Sequence, residues 1–160
     1  CNIYGWYWKE TNERVTKNVY IELARKNGKS FFAAAIALYN LIADGEANAE
    51  VEIIANSSKQ AGIVFSMCKN LVDGLDAKHK YFKAYRDKIK FDATKSFLQV
   101  LSTDVNSNDG WNSSLFVVDE YHSAPNSLMY DVMKSSQRNE RKSIIYCNYN
   151  CWFQSLFTLL

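Results

Sequence analysis

The sequence predicts an α/β fold in which a mainly parallel sheet is covered by helices on both faces. Three observations carry this. Short runs of β-branched and aromatic residues alternate with longer stretches of helical periodicity, the pattern of strand-helix-strand units. The run Leu115-Phe116-Val117-Val118 is apolar without interruption, as a strand buried on both faces requires. The segment 29–43 interleaves Phe32, Ile36, Tyr39 and Leu41 with alanines, which suits a helix lying close on a sheet. A chain of 160 residues fits one domain and buries roughly 70% of its unfolded surface on folding.

In chain order, Val19-Tyr20-Ile21-Glu22-Leu23 predicts a first strand, followed by a glycine-containing loop and the helix 29–43, which ends at Asp44-Gly45. Residues 51–55 predict a second strand. Ser57-Ser58 can cap a helix over 59–75, whose Ala61, Val64, Phe65, Cys68, Leu71 and Val72 recur at helical spacing. The stretch 78–90 is basic and aromatic and reads as a solvated helix face or a surface for nucleic acid. Residues 96–101 predict a strand, 102–114 a polar loop, 115–118 the apolar strand, 126–136 a helix and 143–146 a last strand.

Composition excludes several classes. One proline and six glycines argue against disorder or a fibrous repeat. A net charge of +2 requires neither nucleic acid nor a membrane surface, although a basic patch can sit inside a balanced total. No apolar run approaches the ~20 residues of a membrane span, so no membrane partner is expected. Of Cys1, Cys68, Cys147 and Cys151 only the last two form a Cys-x-x-x-Cys pair, and with no second pair and two histidines they make a poor zinc site and read as reduced thiols of a cytoplasmic protein.

Leu23 to Ser30 reads L-A-R-K-N-G-K-S. The phosphate-binding loop G-x-x-x-x-G-K-[ST] lies between a strand and a helix, and here its first glycine is absent while Gly28-Lys29-Ser30 is intact. Backbone N–H groups at a helix start, with the helix dipole, attract phosphate. In such a loop Arg25, Lys26, Asn27 and Gly28 surround the phosphates, Lys29 reaches the β- and γ-phosphates, and the Ser30 hydroxyl binds Mg²⁺. An ordinary turn before an ordinary helix is the plainer reading of Gly-Lys-Ser alone. The flanking strand and alanine-rich helix supply the context that the motif requires.

The second motif is Leu115-Phe116-Val117-Val118-Asp119-Glu120, which brings two acids to the C-terminal end of a buried strand, the edge where open α/β sheets bind ligands. Asp119 is expected to hold Mg²⁺ and Glu120 to orient or deprotonate the attacking water. A strand running into a polar turn is the bland alternative. The two motifs together predict a P-loop NTPase that uses ATP and Mg²⁺.

These residues resemble the phage large terminase subunits, the ATPases of DNA packaging. Ile21 to Ser30 is similar to their phosphate loop, which replaces the first glycine and carries an early arginine. Ile3-Tyr4-Gly5-Trp6, Ala55-Asn56-Ser57-Ser58-Lys59-Gln60-Ala61, Asp109-Gly110-Trp111-Asn112, Val118-Asp119-Glu120-Tyr121-His122 and Lys134-Ser135-Ser136-Gln137-Arg138 resemble further family segments, so the likeness runs over positions 3 to 146. It implies a motor that hydrolyses ATP to pump double-stranded DNA into a procapsid in the cytoplasm of a bacterial host. The implied partners are DNA, a portal protein and a small terminase subunit, with a ring homo-oligomer during packaging. It also places Arg25 near the γ-phosphate, as a sensor or as an arginine finger in cis. A helicase-like P-loop ATPase and an inactive truncated remnant are the alternatives.

The organisation expected is a terminase-like ATPase domain over 1–146, incomplete at its start, and a non-family tail over 147–160. In the family, a Thr/Ser-Thr-Ala-Gly coupling motif follows the strand near Ile144-Ile145; here the chain reads C-N-Y-N-C-W-F-Q-S over 147–155. Encoding this run as TGT AAC TAC AAC TGC TGG TTT CAA TCT, with a C-initial leucine codon next, and shifting by one nucleotide reads V-T-T-T-A-G-F-N-L. The tail is therefore expected to be a frameshifted product, with no evolved role for Cys147 and Cys151 and without the family's coupling motif or nuclease domain.

Overall fold

The computed structural model describes residues 4–24, 26–55, 58–101, 112–119, 135–136 and 144–150. These form β1 (Asn18–Leu23), α1 (Lys29–Ile42), β2 (Glu50–Ala55), α2 (Ser58–Leu75), β3 (Phe82–Ala84), β4 (Lys88–Phe91), β5 (Ser96–Leu101), β6 (Leu115–Asp119) and β7 (Ile144–Asn150). One sheet holds the strands in the order β1-β7-β6-β2-β5-β4-β3. The first five are parallel to their neighbours, and β4 and β3 add to β5 as an antiparallel edge. The parallel block therefore delivers Leu23, Ala55, Leu101, Asp119 and Asn150 to the same edge of the sheet.

The helices α1 and α2 pack together on one sheet face. Ala33, Ala34 and Ala37 are fully buried, and such small side chains let α1 lie close to α2 and the strands, with the Cys68 Sγ 3.9 Å from the Ala34 carbonyl. Val51 and Ile53 of β2, Leu98 of β5, and Leu115 and Val117 of β6 meet them in one core. Each such buried Val, Leu or Ile contributes about 1.5–3 kcal/mol. Ile54, Phe116, Val118 and Ile145 alternate with these along their strands, point to the opposite face and are also buried. The helix expected over 126–136 lies outside the described residues apart from Ser135 and Ser136.

The basic stretch differs from the helix-face reading. Residues 82–91 form an antiparallel hairpin, closed by the Tyr85 N–H donating to the Lys88 carbonyl at 2.7 Å. The reason is a period of two. Phe82, Ile89 and Phe91 point to the core, where the Phe82 and Phe91 rings stack at 4.7 Å, while Lys83, Lys88 and Lys90 point the other way. A helix of this sequence would scatter those apolar residues round its axis. The last strand also runs further than expected: β7 keeps its ladder to β1 as far as Asn150 opposite Leu23.

The N-terminal segment is fastened to the far end of α1. Tyr7 and Arg14 form an antiparallel bridge, and the fully buried Arg14 donates from Nη2 to both Asp44 oxygens at 2.7 Å and from Nη1 to the Tyr4 carbonyl at 3.1 Å. Its guanidinium also lies over the Tyr4 and Tyr7 rings, at 4.7 and 5.1 Å.

Candidate nucleotide-binding site

The loop between β1 and α1 has the torsions of an anion cradle. Lys26 and Gly28 both take positive φ, 67° and 74°, and left-handed residues in such a turn tilt successive N–H groups towards a common point. Gly28 is the N-cap of α1, and a Cβ there would meet nothing within 4 Å, so glycine is required by torsion and not by space. No side chain caps this helix start and its first turn holds no acid. The orphan N–H groups and the positive end of the dipole are thus directed at whatever occupies the loop.

The missing first glycine has a structural reason. Leu23 occupies that position and still belongs to the β1 ladder, opposite Asn150, in extended backbone that any residue adopts. Lys29, which follows Gly28, is buried, and its Nζ donates to the Leu23 carbonyl at 3.1 Å. That bond holds the ammonium across the mouth of the loop.

The two motifs meet. The Ser30 Oγ on the first turn of α1 lies 3.4 Å from the Asp119 Oδ2 at the end of β6, although 89 positions separate them in the chain. A hydroxyl and a carboxylate at this spacing make the hard oxygen donor pair that Mg²⁺ takes. The residues present therefore fit the cation. Lys26 and Asn27 are exposed on the loop. Arg25 and Glu120 lie outside the described residues. Among those residues no cluster of three metal-ligating side chains occurs, and no helix is long and apolar enough to cross a membrane.

Two polar features had no sequence signal. The Arg14–Asp44 pair joins residues 30 apart, and the sequence reading used Asp44 only as part of the stop that ends the first helix. Glu52 lies in the middle of β2, fully buried on the face away from α1, and neither of its oxygens has a hydrogen-bond partner among the described residues. Burial pushes its carboxyl up to about 8, against the opposing pull of the nearby Ser113 and Gln99 side chains. Cys68, the thiol of the α1–α2 contact, is likewise raised by burial, to about 12, and is inert as a nucleophile.

With this geometry in hand, comparison with known proteins becomes specific. A family model described as terminase large subunit, ATPase domain, matches residues 1–147. The chain belongs to that family. The terminase large subunit of Lactococcus phage p2 is 26% identical to this terminase chain over 137 residues, which are 82% of this chain and 25% of that protein. The terminase chain thus spans a quarter of the length of this relative. The crystal structure of the HK97 bacteriophage large terminase matches it with a TM-score of 0.75 at 22% identity, over 86% of this chain and 30% of that one. A large terminase from a thermophilic bacteriophage, solved in complex with ADP, matches with a TM-score of 0.61 at 12% identity, over 84% and 33% of the two chains. These structures show the fold, a terminase-type α/β sheet with helices.

Proposed function

We propose that this terminase domain binds Mg-ATP at the β1–α1 loop and hydrolyses it to drive double-stranded DNA into a phage or prophage procapsid. The observation that carries the reading is the 3.4 Å approach of Ser30 to Asp119, which unites both motifs at one sheet edge. Lys29 leaves the Leu23 carbonyl to neutralise the β- and γ-phosphates. The N–H groups at the Gly28 end of α1, with Lys26 and Asn27, surround the phosphate oxygens. Ser30 and Asp119 would hold Mg²⁺, which would supply neutralisation of the negative charge that develops on the phosphates. Glu120 orients the attacking water and accepts its proton, and Arg25 acts at the γ-phosphate. The ADP bound to the thermophilic-phage terminase supports an adenine nucleotide as ligand.

In this reading the partners are DNA, a portal protein, a small terminase subunit and further copies in a ring, in the cytoplasm of a bacterial host. The domain runs over 1–146, and the tail from about Cys147 is a frameshifted stretch. The strand β7 supports that assignment. The shifted reading puts Val-Thr-Thr-Thr at 147–150, four β-branched residues where the backbone pairs as a strand. Reading the gene's nucleotides over 147–155 tests it, and any other codons there sink it.

Nucleotide binding and turnover of the purified chain test the site. Lys29→Ala is expected to abolish nucleotide binding, whereas Glu120→Gln keeps binding and lowers turnover by about 10²–10⁴-fold. Turnover that survives both substitutions places the chemistry elsewhere. A parent chain that binds no nucleotide favours the inactive remnant.

A further inference from the structure

The hairpin β3–β4 concentrates the positive charge of the molecule. Residues 78–95 hold seven Lys or Arg against two Asp, a surplus of five in a chain whose total is +2, so everything outside this segment is net acidic. Strand alternation gathers part of that charge on one surface. Lys83, Lys88 and Lys90 project from the sheet face opposite α1 and α2, and Lys83 stands directly opposite Lys90 in the ladder. Like charges directly opposite disfavour a sheet, and here the Lys83 ammonium is paired with Asp92, which leaves Lys90 as the unpaired cation of the two. Lys78, Lys80, Lys88, Lys90 and Lys95 form no ion pair with the described residues; Lys83 alone is bridged, to Asp92.

Aromatic rings are interleaved with the cations. The Lys88 ammonium lies 3.7 Å from the Phe97 ring centre, Lys80 lies 5.0 Å from Tyr81 and Lys90 lies 5.6 Å from Tyr85. Tyr81 and Tyr85 remain half exposed. A cleft of about 370 Å³ is lined by Lys88, Lys90, Lys95 and Phe97, with Asp92 as its one acid. Lys88 and Lys90 are two residues apart on one strand, about 7 Å, and a DNA strand carries a phosphate for every ~3.4 Å of its axis. Two flexible ammoniums at that spacing reach phosphates of the same strand. Exposed rings beside them can pack against the sugars of that strand.

We infer that the outer face of the β3–β4 hairpin, with Lys83, Lys88, Lys90 and Lys95, is a contact surface for the phosphate backbone of DNA. The inference rests on the DNA-acting part of the proposed function and assigns it a place on the molecule. The competing explanation is that lysines merely keep an exposed sheet edge from pairing with other chains. In the first case the lysines set DNA affinity; in the second they set solubility alone.

Fluorescence anisotropy of a labelled DNA duplex of random sequence, titrated with the full chain at several salt concentrations and without nucleotide, distinguishes them. The parent is expected to bind with a strong salt dependence. The double variant K88E/K90E should lose at least tenfold in affinity at low salt, with the slope of log affinity against log salt falling by about two. K88Q/K90Q, which removes the charge without reversing it, should show the same fall in slope, and circular dichroism of both variants reports their fold. The charge reversal K9E/K69E, away from the hairpin, should leave the slope unchanged. Equal losses in the two charge reversals, an unchanged slope in K88Q/K90Q, or a parent that binds no duplex would each overturn the inference. Nucleotide affinity measured on the same variants should equal that of the parent. A parent that binds DNA through the hairpin but no nucleotide would refute the ATP site and leave this surface standing.

Discussion

Two buried ionisable residues, Arg14 and Glu52, affect stability in opposite ways. Arg14 is satisfied by Asp44, the Tyr4 carbonyl and two rings, and Asp44 itself is almost fully buried and also accepts from Asn40 Nδ2 at 3.2 Å. Removing one partner leaves a buried charge without its counterion. Arg14→Ala is therefore expected to cost about 3–5 kcal/mol and to lower Tm by roughly 10 °C, measured by thermal and urea unfolding. Arg14→Lys should recover only part of this, because an ammonium cannot reproduce the forked contact with Asp44 and Tyr4. Glu52 has no such partner among the described residues. Its carboxyl is pushed from 4.5 to about 8 in the folded chain, so between those values the native state binds more protons than the unfolded one. Its contribution is fully present below pH 4.5 and is lost as pH rises towards 8. Glu52→Gln should flatten that slope and stabilise the chain at pH 8 by about 1–3 kcal/mol. A slope unchanged in the variant would assign the pH dependence to another group.

Elements were legible wherever their signal was local. The helices α1 and α2 and the strands β1, β2, β5 and β6 follow from spacing and apolar runs, and their ends moved by only a residue or so. The hairpin was not legible as such, because its lysines dominate the composition of 78–90 and hide the alternation of Phe82, Ile89 and Phe91. What starts it is a single side chain beyond α2. Asp76 accepts from the backbone N–H groups of Lys80 at 3.0 Å, Tyr81 at 2.6 Å and Phe82 at 3.0 Å. Desolvation raises its pKa, but those N–H groups, Tyr81 and Phe82 foremost, outweigh it and hold the carboxyl below the usual range. The stabilisation it provides is present above the ordinary aspartate value and is lost as pH falls through its lowered one. Asp76→Ala should weaken hydrogen-exchange protection over 82–91 while leaving α1 and β2 as they are. The same segment should lose protection first on acidification. Equal loss throughout the chain would mean that Asp76 supports the whole fold and not this element.

At the scale of the whole molecule the order of strands matters most. β7 lies between β1 and β6 and so separates the strand that leads into the phosphate loop from the one that ends at Asp119. Its C-terminal end therefore sits beside both nucleotide motifs, where a residue change is felt by each. Replacing 147–155 with the shifted-frame string V-T-T-T-A-G-F-N-L should stabilise the chain, since β-branched residues suit a strand by up to about 1 kcal/mol, or a few degrees in Tm. An unchanged or lower Tm would count against the frameshift assignment. Asymmetry of charge is also a whole-molecule property: a balanced total concealed a surplus of five within residues 78–95.

The sequence by itself determined the α/β class, the identity of Gly28, Lys29, Ser30 and Asp119 as a candidate site, and the family resemblance, because propensity, periodicity and motif spacing are written in neighbouring residues. Tertiary structure decided what depends on residues distant in the chain. It brought Ser30 against Asp119, placed Leu23 in a strand where the motif's first glycine is not needed, paired Arg14 with Asp44, and turned a basic stretch into a two-sided hairpin with its lysines outward. Each of these is a choice of partner made by sheet order and burial, and no local pattern specifies a partner.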